Sequence, residues 1–244
     1  MPSVAWSLAL AAALQAGPAP PAAPPAWPDD KPFTRLVPNL VQDVRALPAP
    51  DTGLLLAGGV VAALAMHPAD DNAAGWARDR GDSGLADFGR AVGDGWTQGG
   101  LAVGAYALGH LADHAELTHV GSDLVRAQIL NAIITRAAKI VASRDRPSGG
   151  NHAMPSGHSS ATFTTAAVLH GHYGWEVGIP AYAVASFVGW SSVRTESHWI
   201  TDVVVGAFVG TIVGRTVTRG HRARDWVVVP VRTDGGVAVF VAWH

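Results

Sequence analysis

Three clusters in this 244-residue chain carry side chains that could do chemistry, and they follow one another in order. Lys139-x6-Arg146-Pro147 places two cations near the end of a long apolar stretch, before a proline that forces the chain out of helix. Two cations so placed can converge on one anion, or can simply answer the dipole at a helix C-terminus. Pro155-Ser156-Gly157-His158 leads into a helix, whose first turn presents free backbone N–H groups and a positive dipole end. Gly157 lets a ligand approach the backbone, Ser156 adds a hydroxyl, and His158 adds a titratable proton. The plainer reading is a serine N-cap with a solvent-facing histidine. His198-x3-Asp202 has i,i+4 spacing, which puts both residues on one face of a helix. A carboxylate behind an imidazole fixes its tautomer and raises its basicity. The same spacing also suits an incidental polar pair or two metal ligands.

The elements that must position these groups are helical. Apolar stretches predict helices over Thr52–His67, Leu85–Val92 and Gly99–Ala115, with Pro68–Gly81 loop-like between the first two. Ser122 or Asp123 can cap a long helix that runs to about Ser143. Pro147–Pro155 reads as a loop. Ser159–His172, Gly178–Val193 and Trp199–Val217 are further helices. On the last of these, Gly206, Gly210 and Gly214 continue the ridge of Asp202 at i+4 intervals, which allows close helix contact below the His198–Asp202 pair. At the C-terminus the period changes. Trp226–Arg232 and Val237–Trp243 are β-branched runs about an Asp234-Gly235 turn, the signal of a hairpin expected to pack on the bundle.

Composition narrows the class. Hydrophobic residues make up 48% and charged residues 15% of the chain, the latter below the ~25% of soluble domains. Mean hydropathy is +0.20. A formal net charge of -2 provides no field for nucleic acid. With no cysteine, disulfides, thiolate catalysis and Cys-based metal sites are excluded. The apolar stretches are about 14–18 residues long, against the ~20 that a bilayer asks for, so short membrane spans and a buried bundle both fit. Residues 1–16 read as a signal peptide, cleaved after Ala16, and 17–50 as a Pro/Ala-rich linker. A helical domain over 51–220 and the hairpin over 221–244 complete the division: an all-α bundle of about five to six helices with a short β-hairpin.

Taken together, the three motifs resemble the type 2 phosphatidic acid phosphatase family, in the superfamily of bacterial acid phosphatases and vanadium haloperoxidases. The resemblance covers roughly Thr52 to Val217. It implies an all-helical phosphohydrolase that uses no metal and no cofactor. By position, His198 corresponds to the nucleophile that forms a phosphohistidine and Asp202 to the residue that orients its ring. His158 corresponds to the acid that protonates the leaving oxygen and then activates water. Lys139, Arg146, Ser156 and the Gly157 amide correspond to the phosphate-holding groups. One position departs from the family pattern. An arginine normally stands six residues before the nucleophilic histidine, and here that residue is Ser192. Arg194, two residues on, is the nearest cation and the candidate to replace it.

The function so implied is removal of phosphate from a lipid phosphate or diphosphate by an exported, membrane-associated bacterial envelope enzyme. A soluble acid phosphatase of broad specificity for small phosphate esters is the variant if the helices do not span. A weakened or inactive phosphate-binding relative is the alternative that Ser192 opens. A vanadate-dependent peroxidase is a further class, for which the chain is short. A metal-dependent hydrolase would have to use the 11 histidines, most of which are isolated in the sequence.

Overall fold

The computed structural model describes the backbone of residues 32–81, 83–219, 226–233 and 236–243, and the side chains of 35–81 and 83–219. Its main body is all-helical. The helices are α1 (Pro32–Ala46), α2 (Pro50–Met66), α3 (Asp70–Arg78), α4 (Gly84–Gly93), α5 (Gly95–Leu111), α6 (Ala115–Ala142), α7 (Gly157–Tyr173), α8 (Trp175–Arg194) and α9 (Ile200–Val217). A 3₁₀ turn, His67–Ala69, joins α2 to α3. Beyond α9, strands Trp226–Thr233 and Gly236–Trp243 run antiparallel, with Trp226 opposite Trp243. The expected signal peptide, the Asp234-Gly235 turn and the packing of the strand side chains lie outside the described residues.

The described residues hold nine helices, more than the five to six expected, and two of them form in segments that read as irregular. The second half of the expected linker forms α1. Pro32 occupies its first position, where a proline costs no hydrogen bond. Asp43 turns inward and meets Arg126 of α6 at 2.6 Å. The polar stretch after His67 forms α3, with Asp70 and Asp71 in its first turn and Ala74 and Ala77 buried. The long helix also starts earlier than expected. His114 caps α6 by accepting from the Leu117 amide at 3.2 Å, and Ser122 and Asp123 are fully buried within it.

Small residues set the packing. Ala102, Val120, Leu124, Ala127, Leu130, Val168, Val213 and Val217 form the core cluster. The glycine ridge of α9 lies against α7: a Cβ at Gly206 would stand 2.6 Å from the Ser156 carbonyl oxygen, and one at Gly214 2.6 Å from the Ala167 Cβ. So α9 approaches α7 at backbone distance, and the residues before each helix are brought together. Many large apolar side chains point outward, among them Leu54, Val60, Val61 and Leu64 of α2, Trp96, Leu101 and Leu108 of α5, and Ile179 of α8. Among the described residues, two stretches, Pro50–Arg78 and Ile200–Val217, are long and apolar enough to cross a membrane.

Candidate active site

The site forms where α6 ends, α7 begins and α8 turns into α9. Helix α6 stops at Ser143, which is left-handed at φ 44. The loop that follows folds back on the helix end: Lys139 Nζ donates to the carbonyls of His152 at 2.7 Å and Ala153 at 3.3 Å. An ammonium has three donors, so one is left for a ligand. Burial lowers the Lys139 pKa to about 8, helped by Arg146 and opposed by Asp202. The Arg146 guanidinium has no hydrogen bond or ion pair among the described residues. With Lys139, Arg136, Asn151 and His152 it lines a cavity of about 520 Å³.

Ser156 is fully buried and caps α7, its hydroxyl oxygen facing the Ser159 amide at 3.4 Å. The plain N-cap reading therefore accounts for its hydroxyl. Gly157 opens the helix beside the cation, with the Lys139 Cε 4.0 Å from where a Cβ would stand. Lys139, Gly157 and His158 line a second cavity of about 310 Å³ with Asn131, Thr135 and Ser160. Burial lowers the His158 pKa to about 4, and the nearby charges of His198, Arg90 and Arg146 act in the same direction, against Asp94.

His198 and Asp202 do not share a helix, as the i,i+4 spacing had implied. Helix α8 ends at Arg194, Glu196 is left-handed at φ 51, and α9 starts at Ile200. The amides of Ser197 and His198 turn back to the Ser192 carbonyl at 3.1 and 3.2 Å. His198 thus sits in the turn before α9, buried, with Nδ1 3.7 Å from Asp202 Oδ2. That is an ion-pair separation, longer than a hydrogen bond. Burial holds the imidazole below its ordinary pKa against the pull of Asp202, and Lys139 and Arg146 lower it further. Since Nδ1 faces the carboxylate, Nε2 is the nitrogen left for chemistry.

Asp202 is held by groups that sequence reasoning missed. Its Oδ2 accepts from the Trp199 amide at 2.9 Å and its Oδ1 from Arg144 Nη1 at 2.9 Å. Arg144 also reaches Thr201 Oγ1 at 2.5 Å and, through Nη2, Asp70 Oδ2 at 2.8 Å. Asp70 in turn accepts from the Thr201 amide and hydroxyl. The sequence held one signal for Arg144, a second arginine two residues before Arg146. Asp70 had none, since its segment read as a loop.

The phosphate-binding role expected of Arg194 is corrected. Its guanidinium donates to the carbonyls of Ala77 at 3.0 Å and Arg80 at 3.1 Å and lies over the Trp76 ring, so it clamps the end of α3. Ser192 is fully buried, and its hydroxyl donates to the Val188 carbonyl at 3.1 Å. The other proposed site residues, Lys139, Arg146, Gly157, His158, His198 and Asp202, are gathered around the junction.

Among the described residues, one group has the make-up to hold a metal ion: His119, Asp123 and His172. Arg126 is hydrogen-bonded to Asp123 and already supplies a cation there. Asp123 stands sixteen positions before Lys139, about 24 Å along α6. This group reads as a buried structural network rather than part of the site.

Residues 121–226 match the family model described as PAP2 superfamily. Over 98 residues the chain is 36% identical to a Lipid A 1-phosphatase of Porphyromonas gingivalis, covering 38% of this chain and 22% of that protein. Over 77 residues it is 29% identical to a Lipid A 4'-phosphatase of Helicobacter pylori, covering 32% of this chain and 39% of that protein. The matches therefore span well under half the length of either relative. No solved structure matches the chain.

Proposed function

From the match of residues 121–226 to the PAP2 superfamily model, we propose that the chain is a member of that superfamily and a metal-independent phosphatase acting on a phosphorylated membrane lipid through a phosphohistidine. The observation that carries this reading is the junction itself: two cations, a helix N-terminus, and two histidines meet there, one histidine backed by a carboxylate. That set suits charge stabilisation plus acid–base work on a phosphoryl group.

Lys139, Arg146 and the first amides of α7 hold the phosphoryl oxygens. The lone pair of His198 Nε2 forms a bond to phosphorus as the ester P–O bond breaks in line with it. His158 gives its proton to the departing oxygen. In the second step His158 takes a proton from water, the resulting hydroxide attacks phosphorus, and the N–P bond breaks to release phosphate. Asp202 stabilises the imidazolium that forms at His198. Its own position is fixed by Arg144 and the Trp199 amide.

A lipid substrate is supported by the outward-facing apolar side chains of α2, α5 and α8, by the two stretches long enough to cross a membrane, and by relatives named for lipid A. The phosphorylated glycolipid of those names is the first substrate to try. Export to the bacterial envelope, with cleavage after Ala16, belongs to the same reading. Phosphate release from lipid A, from phosphatidate and from p-nitrophenyl phosphate, each with EDTA present, tests it. Release from the lipids that survives EDTA is expected. Release from the aryl ester alone would point to a broad-specificity acid phosphatase. Binding of phosphate without turnover would point to the inactive relative that Ser192 opens.

A further inference from the structure

Ser192 leaves the third motif without its arginine, and Arg194 is committed to α3. The structure has a cation at this corner from another element. Helix α4 lies against α8 and α7 through two glycines. A Cβ at Gly89 would collide with Ser191, and one at Gly93 would stand 3.1 Å from the His158 Cβ. Arg90 lies between them, about 60° around the helix from Gly93. Its Nε is buried without a partner, and the side chain has no hydrogen bond or ion pair among the described residues. The neighbouring carboxylate of Asp94 is turned to the Trp96 amide at 2.9 Å. A buried guanidinium Nε–H with no acceptor among the described residues is costly to keep unless an anion satisfies it.

We propose that Arg90 supplies, from α4, the phosphoryl contact that the third motif lacks at Ser192. This rests on the phosphohydrolase reading above. The small side chain of Ser191 and the bare backbone of Gly89 are what let α4 come this close. Arg90 also adds to the positive field at His158 beside Arg146, which places the two guanidinium groups within electrostatic reach of the same histidine. An arginine suits the task because its planar fork can hold two phosphoryl oxygens at once.

The test uses the full chain and two readouts: affinity for vanadate, a five-coordinate mimic of the phosphoryl transition state, and phosphate release. Arg90→Ala is expected to weaken vanadate binding and kcat/KM by about 10- to 150-fold, with Arg90→Lys between the two. Guanidinium added to Arg90→Ala should restore part of both without changing the melting temperature. Vanadate affinity within twofold of the parent overturns the proposal. So does a loss that follows a lowered melting temperature and that guanidinium does not repair. Should the parent bind vanadate yet release no phosphate from any ester, the phosphatase reading fails while the contact to Arg90 is still measured by binding.

Discussion

The backbone N–H of Ser156 donates to the carbonyl oxygen of Asp202 at 2.9 Å, so the second and third motifs are joined by their own main chains. This bond sits at the top of the α7–α9 contact, directly above the glycine ridge. A Cβ at Gly206 would stand 2.6 Å from the Ser156 carbonyl oxygen. The spacing between the motifs is therefore set by helix packing rather than by side-chain contacts. Gly206→Ala should cost about 1–3 kcal/mol, the usual penalty of overpacking, and should lower kcat/KM as Ser156 is pushed from Asp202. Gly214→Ala, two turns below, should cost similar stability with a smaller change in kcat/KM. Thermal melts and phosphate release on both variants decide the point. Equal rate losses would mean that the ridge acts through the fold as a whole.

The two histidines should separate by leaving group. His198→Ala should abolish turnover together with the acid-labile phosphoenzyme, because the covalent step is gone. His158→Ala should lose about 10²–10⁴-fold on a lipid phosphate, whose alkoxide needs a proton, and much less on an aryl phosphate. The phosphoenzyme should still form in that variant with the aryl ester. Substantial activity in His198→Ala would show that the nucleophile lies elsewhere.

Arg194 is expected to matter for stability and not for phosphate. It holds two carbonyls at the end of α3, and hydrogen bonds from a charged group are worth about 1.5–3 kcal/mol each. Arg194→Ala should therefore lower the melting temperature while kcat/KM of the folded fraction stays within about threefold. A loss of an order of magnitude or more in kcat/KM, with stability unchanged, would return Arg194 to the site.

Much of this was legible in the sequence because helix-terminal chemistry is local. Pro155-Ser156-Gly157-His158 announced a helix N-terminus, and the i+4 glycines announced the ridge that aims it at α9. Two kinds of information were not local. Whether His198 and Asp202 shared a helix depended on where α8 stops, and that stop is set by a left-handed Glu196 and by amides returning to Ser192. The spacing of the pair could not reveal a turn that keeps both residues inward. The roles of Arg194 and Arg144 depended on Ala77 and Asp70, more than 70 residues away in the chain and within a segment too polar to read as helix. Once α3 is recognised as an amphipathic helix, both arginines find their partners there and at Asp202.

That triangle leads to the next prediction. Arg144 is the cation between the buried carboxylates of Asp70 and Asp202, its own side chain being 24% exposed. Removing one partner of a buried pair typically costs about 3–5 kcal/mol, and the partial exposure places Arg144→Ala at the lower end. The Asp202 carboxylate would lose its hold on Oδ1, so kcat should fall more than KM rises. Arg144→Ala combined with Asp70→Asn removes one of the two stranded charges and should recover stability without recovering kcat. Recovery of both together would mean that Arg144 serves the fold alone.

The pH dependence follows from the two imidazoles. His158 titrates at about 4 and His198 below its ordinary value, against 6.5 for a free side chain. Below pH 6.5 the unfolded chain binds protons that the folded site refuses, so stability falls as pH drops from about 6.5 toward 4. Above 6.5 both states are neutral at these positions and the contribution is fully present. His158→Gln should flatten this limb, and melting temperatures of parent and variant between pH 4 and 7 measure the difference. An anion reverses the effect. A phosphoryl dianion beside His158 stabilises its charged form, so binding should draw in a proton near neutral pH and prepare the acid for the first step. Vanadate titrations by calorimetry at pH 6.5, in buffers of different ionisation enthalpy, should show uptake approaching one proton in the parent and much less in His158→Gln. Equal uptake in both would move the acid's role to another residue.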